Sequence, residues 1–255
     1  MVRWVGGGFC SFLLVFAGAA CDASEDSGNG ELLVSAAASL REVITSVSED
    51  FQKANPHLSL QLNFAGSGAL RQQIEVGSPA EVFISAATEH VDRLGEAGLV
   101  ASGDRRIFAR NQLVLVSTQD GVRSLEDLKG EAVTRVAIGD PRSVPAGKYA
   151  RQWLESEGLW DRIEEKTVLC GDVRQVLSYV QRGEVDGGVV YATDAKLLGL
   201  EPRWIASGPN APDVVYEAVL IGGAREPRPV ARQFFDYLAS DTVVRELEAA
   251  GFMAP

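Results

Sequence analysis

From residue 31 onward the chain alternates short, almost uninterrupted apolar runs with stretches whose apolar residues recur every three or four positions. That alternation constrains the fold more than any other feature. Residues 32–37 (LLVSAA) read as a buried strand, and residues 39–54 place Val43, Ile44, Val47 and Phe51 on one helical face. Further strands are expected at 58–64, 82–86, 113–116, 136–138, around Val168 and at 188–191. Helices are expected at 70–76, from Pro145 to about Glu157, at 172–181, at 228–239 and at 241–250. Strands without polar alternation need cover on both faces, so the pattern predicts an α/β protein with parallel sheets layered by helices. Two strand-like segments, 112–116 and 216–221, are placed to cross between lobes. The expected organisation is a first lobe of residues 31–111 plus 218–255 and a second of 112–217, with a cleft between them.

The first twenty residues read differently. Arg3 precedes an apolar run (FLLVF, 12–16) and the small residues Ala17, Gly18, Ala19 and Ala20, just before Cys21. This is the pattern of a signal peptide and is short for a membrane span. Cys21 has the setting of a lipidated cysteine, although Gly18 stands where a Leu-like residue is usual; plain cleavage at an A-x-A site is the simpler alternative. Residues 22–30 (DASEDSGNG) are polar and glycine-rich and read as a flexible tether. The folded part is therefore expected outside the cytoplasmic membrane, in the periplasm or on the membrane's outer face. With Cys10 lost with the leader and Cys21 taken up by acylation, Cys170 has no obvious partner, so no internal disulfide is expected.

Charge and composition remove several function classes. A net charge of −11 argues against nucleic-acid binding, which needs clustered Lys and Arg. Two histidines and three cysteines without ligand spacing argue against a zinc or iron–sulfur site. No GxSxG, Walker A, HExxH or GxGxxG motif is present, and His57 and His90 read as surface residues. Cys170, ending a strand, reads as an inert core thiol.

Four strand-to-helix turns carry small or hydroxyl residues: Ser39 with Glu42 in capping-box spacing, Gly66-Ser67-Gly68, the run 141–147 (PRSVPAG) and Asp172-Val173-Arg174. Taken singly, Ser39 is an N-cap, Ser67 a glycine-turn serine, Asp172 a cap, and Tyr191 a core or rim aromatic. Together they could aim backbone N–H groups into one crevice at the carboxyl ends of the strands, where helix N-termini favour anions.

Five blocks in order carry a resemblance: AAASL (36–40), FAGSGALRQQIEVGSPAEVFISA (64–86), GDPRSVPAGKYA (139–150), GDVRQVLSYVQRGEVDGGVVYATDA (171–195) and the ending from FFDYL to GF (234–252). The chain after the tether resembles the substrate-binding proteins of molybdate ABC importers. The resemblance implies a two-lobed type II periplasmic-binding fold, each lobe a mostly parallel sheet covered by helices. It implies a tetrahedral oxyanion, molybdate or tungstate, held in the cleft by hydroxyls and backbone N–H groups without a counter-cation or cofactor. The implied ligands are the Ser39 and Ser67 hydroxyls, the Ala146 and Val173 N–H groups and the Tyr191 hydroxyl, all touching the metal only through its oxyanion. A monomer delivering its anion to the permease of an ABC importer is implied, with no catalysis and no membrane contact beyond an anchor at Cys21. Gly66 and Gly68 stand where the family often has serines, and Ala87 where it often has Asp. The alternatives are the same fold tuned to sulfate or another oxyanion, a tethered anion sensor, and, from a different class, a secreted hydrolase or transferase.

Overall fold

A computed structural model of the protein describes residues 1–2, 30–223 and 226–255, with the side chains of 101 and 102 left aside. Residues 3–29, which hold nearly all of the leader and the tether and include Cys21, lie outside the described residues. No helix among the described residues is long and apolar enough to cross a membrane.

The first sheet is built from β1 (Glu31–Ala37), β2 (Ser59–Ala65), β3 (Val82–Ser85), β4 (Val100–Asn111) and β10 (Val214–Ile221), in the order β2-β1-β3-β10-β4. The second contains β5 (Leu113–Val116), β6 (Val136–Gly139), β7 (Thr167–Cys170), β8 (Gly187–Tyr191) and β9 (Trp204–Ile205), in the order β7-β6-β8-β5-β9. Each keeps a parallel body of three strands and adds two antiparallel ones on one side. The antiparallel strands belong to the segments that pass between the sheets. The chain leaves the first sheet at Asn111, enters the second at Leu113, and returns through β10, all of which pairs within the first sheet.

Helices fill the connections as the periodicity predicts. In α1 (Arg41–Ala54) the buried residues are Val43, Ile44, Val47, Ser48 and Phe51, a stripe facing the sheet. α2 (Ser67–Glu75) and α3 (Thr88–Glu96) follow β2 and β3, while α4 (Pro145–Ser156), with Pro in its first turn, follows β6. A short α5 (Trp160–Ile163) precedes β7, and α6 (Val173–Gln181) and α7 (Ala192–Leu197) follow β7 and β8. α8 (Pro229–Tyr237) and α9 (Asp241–Ala250) return to the first lobe, where Phe51 of α1 meets Phe234 of α8 edge-on at 5.1 Å. The Ser240 hydroxyl caps α9 at its start, and Gly251 ends it at φ 97°, a left-handed backbone that suits glycine. One apolar cluster runs through both sheets; a second, around Leu70, Phe83, Val91 and Leu94, lies between α2, α3 and the first sheet.

Two local expectations are corrected. Ser39 and Glu42 do not form a capping box: the chain enters α1 through a 3₁₀ turn (Ala38–Leu40), Leu40 takes the cap position, and no side chain caps the helix. His90 is buried, not superficial, because it shares the inward face of α3 with Val91 and Leu94. Burial pushes its imidazole down to about 4 against the pull of Glu89. His57 is exposed. Cys170 is free and buried at the end of β7, its thiol raised to about 11 by burial and by Asp172.

Candidate functional site

The carboxyl ends of β1, β2, β6, β7 and β8 face one small cavity between the sheets. Its walls include Ser39, Ser67, Ala146, Val173 and Tyr191, so all five sequence-selected residues meet in one place. Ala37, Ala38, Ala65, Gly66, Ala86, Val144, Pro145 and Asp172 complete the lining, which contains no Lys, Arg or His.

Each element delivers its residue through local chemistry. Ser67 opens α2, and Ala146 and Val173 stand at the first turns of α4 and α6, positions whose N–H groups have no carbonyl one turn behind them. Helix macrodipoles add positive potential at those starts. Asp172 brings a carboxylate to the wall, but its side chain accepts from the N–H groups of Arg174 and Gln175 as the cap of α6. Its charge is thereby turned into the helix.

The hydroxyls are held from behind. Ser67 Oγ accepts from the Ala86 N–H at 3.0 Å, which leaves its own proton available. Ser39 Oγ lies 2.8 Å from Tyr216 Oη. Tyr191 Oη is buried, and among the described residues no hydrogen bond to it meets the geometric criterion. Burial raises its pKa well above the ordinary phenol value, so it remains a protonated donor. An orphan hydroxyl at full burial costs stability unless a ligand completes it.

A second layer was not visible in the sequence. Arg174 reaches from α6 to the carbonyls of Ala38 (3.3 Å) and Ser39 (3.2 Å) and to the Glu42 carboxylate, tying the second lobe to the first. Behind it Asp194 is fully buried, accepting from the Tyr191 N–H at 3.2 Å. Arg174 Nε lies 3.0 Å from Asp194 Oδ1, off the hydrogen-bond axis because that N–H points at Ala38. Burial pushes the Asp194 carboxyl up to about 7 despite Arg174. The one local signal for this layer was the Tyr-x-x-Asp spacing at the start of α7; Tyr216 and Asn111, in strand ends, gave none.

Opposed α/β sheets closing on a small cavity rich in hydrogen-bond donors define the class of two-lobed solute-binding proteins. Comparison with known proteins places the chain within it. Residues 32–253 match the family model of the bacterial extracellular solute-binding proteins, and the chain belongs to that family. It is 36% identical over 251 residues to a putative ABC transporter substrate-binding lipoprotein, YvgL, of Bacillus subtilis, covering 96% of this chain and 95% of the relative. It is 33% identical over 236 residues to the molybdate-binding protein ModA of Haemophilus influenzae, covering 89% and 92%. Among solved structures it matches the periplasmic molybdate-binding protein of Azotobacter vinelandii with a TM-score of 0.79 and 26% identity, over 88% of this chain and 99% of that one. The protein therefore works outside the cytoplasm.

Proposed function

We propose that this protein captures molybdate or tungstate and delivers it to the permease of an ABC importer, making and breaking no covalent bond. The observation that carries the proposal is the buried Tyr191 hydroxyl, without a well-formed hydrogen bond among the described residues, in a cavity lined by three helix starts and two serine hydroxyls. The names of the relatives from Haemophilus influenzae and Azotobacter vinelandii support the choice of anion. In this reading Ser39, Ser67 and Tyr191 bind the oxyanion through their hydroxyls, and Ala146 and Val173 through their N–H groups.

Neutral donors suffice for a dianion. Hydrogen bonds to a charged group contribute about 1.5–3 kcal/mol each, so five give on the order of 10 kcal/mol before ordering and desolvation are subtracted. That is compatible with micromolar to nanomolar dissociation constants. The rival enzymatic reading has little to work with: neither histidine lines the cavity, and Ser39 faces a tyrosine rather than a base. Attachment at Cys21 belongs to the same proposal; the small residues before it and the lipoprotein name of the Bacillus subtilis relative favour it.

The test is the thermal midpoint of the purified protein against a panel of oxyanions. An anion at 100 times its dissociation constant adds about 2.7 kcal/mol and raises the midpoint by several degrees. Molybdate and tungstate are expected to shift it while sulfate and phosphate do not, and Ser39→Ala and Ser67→Ala should each reduce the shift. A shift with sulfate alone would keep the mechanism and change the cargo; no shift with any anion would end the proposal.

A further inference from the structure

Three of the five residues assigned to the anion are fastened to one side chain that does not itself line the cavity. Arg174 follows Val173 in the first turn of α6, in the second lobe. Its guanidinium donates to the Ala38 carbonyl through Nε (3.3 Å) and to the Ser39 carbonyl through Nη2 (3.2 Å), and it meets the Glu42 carboxylate, all on the first lobe. On its own lobe Nε stands 3.0 Å from Asp194 Oδ1, while the other oxygen of that carboxylate accepts from the Tyr191 N–H. The Arg174 side chain is 18% exposed and that of Asp194 is fully buried, so water is a poor substitute for a lost partner.

The grip exists only with the lobes together. Ala38 and Ser39 lie 136 and 135 positions from Arg174, across the cleft, and a rotation that parts the sheets takes both carbonyls out of hydrogen-bond reach. Peptide planarity adds a second effect. With the Ala38 carbonyl held, the direction of the Ser39 N–H in the same peptide group is held too. No side chain caps the 3₁₀ turn that carries Ser39, so Arg174 restrains from outside a turn that lacks a cap of its own. Arginine suits this task and lysine does not: the planar fork presents Nε and Nη2 in fixed relation, whereas an ammonium offers a single nitrogen.

We propose that Arg174 is a positioning residue that clasps the closed lobes and so sets how long the anion stays bound. The inference rests on the anion-binding reading. A cleft ligand enters and leaves through the open form, so stabilising the closed form slows escape and leaves the first encounter unchanged. The same side chain adjoins Val173, holds the Ser39 peptide and is backed by the carboxylate that receives the Tyr191 N–H. Closing the lobes and aligning those three ligands are thereby one event. The contacts are short and largely shielded from solvent, so they persist when salt screens the long-range field of the protein.

The test is Arg174→Lys, which keeps a positive charge beside Asp194 and removes the fork. Association with molybdate is followed by stopped-flow mixing and dissociation by dilution of the loaded protein, with the unliganded thermal midpoint as a check on folding. Dissociation is expected to quicken about tenfold, while association stays within about twofold of the wild type. Glu42→Gln weakens one first-lobe contact and should quicken dissociation about twofold, with no further effect in the Arg174→Lys background. An affinity loss carried by association, or an unchanged dissociation rate in the folded variant, would overturn the proposal. A lowered unliganded midpoint with an unchanged dissociation rate would make Arg174 a prop for α6 alone and overturn it as well. Should Arg174→Lys fail to fold, Glu42→Gln decides by itself, and an unchanged dissociation rate there overturns the clasp. A wild-type protein that binds neither molybdate nor tungstate would instead remove the anion-binding reading, and this inference with it.

Discussion

A methyl group on Gly68 would stand 2.5 Å from the carbonyl oxygen of Ser143 and 2.8 Å from its Cα, and one on Gly66 would stand 2.9 Å from the carbonyl oxygen of Gly171. Both contacts cross the cleft, and the Gly68 N–H donates to Ser143 at 2.8 Å. These glycines, which the family resemblance presents as missing hydroxyls, are where backbone from one lobe seats on backbone from the other. Gly68→Ala should therefore act on the closed, liganded form. Forcing the lobes apart by a methyl costs about 1–3 kcal/mol, so molybdate affinity is expected to fall about tenfold or more. The unliganded midpoint should hold or rise, because Ala is the better helix former in α2. Calorimetry and a thermal scan on one preparation separate the two; a lower midpoint with unchanged affinity would place the strain in the open form. Ser39 shows the same limit on reading residues from sequence. Its spacing to Glu42 suggested a cap, while its partner is Tyr216, 177 positions away. Local rules can say that a serine opens a turn, but not which distant side chain faces it.

Helices were legible because their signals are local: Pro145 opens α4, Asp172 caps α6 and Ser240 caps α9, each where the sequence implied a start. β4 escaped notice. Its run of Gly103, Asp104, Arg105 and Arg106 looks like a loop, yet Arg105 pairs with Glu217 at 2.6 Å and Arg106 with Asp236 at 2.9 Å, while Asp104 meets Arg232. Partners more than a hundred residues away make a charged strand tolerable, and no window of sequence contains them. α6 and α7 carry a pH-dependent consequence. Asp194 at the start of α7 is buried and faces Arg174, with the carboxylates of Glu42 and Asp172 nearby. Its folded pKa, about 7, lies above its usual 3.8. The folded protein thus holds this proton more tightly than the unfolded chain, and stability from this group falls as pH rises between those values and levels off above them. Asp194→Asn keeps an acceptor for the Tyr191 N–H and removes the titration. Its unliganded midpoint is expected to decline less between pH 4 and 7 than that of the wild type. Parallel curves for the two proteins would show that Asp194 does not titrate there.

At the scale of the whole molecule, the lobes are joined by the Gly68–Ser143 bond, by Arg174 gripping Ala38, Ser39 and Glu42, by Lys148 on Glu89 and by Lys196 Nζ on the Ala249 carbonyl at the end of α9. The alternation of strands and helices implied two sheets, and the return of the chain implied a cleft; which residues fasten it depended on a packing that only the folded chain defines. Those fastenings hold a cavity without a cationic side chain inside a body that repels its proposed cargo. The chain carries −11, and loss of Arg3 with the leader would make it −12. An approaching dianion meets the field of the whole protein until it is close enough for the helix starts to act, whereas the bound anion is held by short-range donors. Screening should therefore affect capture and release unequally. Raising ionic strength from about 0.01 M to about 0.15 M shortens the screening length from roughly 30 Å to roughly 8 Å. The association rate for molybdate, followed by stopped-flow mixing, is expected to increase severalfold over that range, while the dissociation rate stays nearly constant. An association rate that falls with salt would mean that a local positive field reaches past the cleft mouth, and the donors would then be steering the anion as well as holding it.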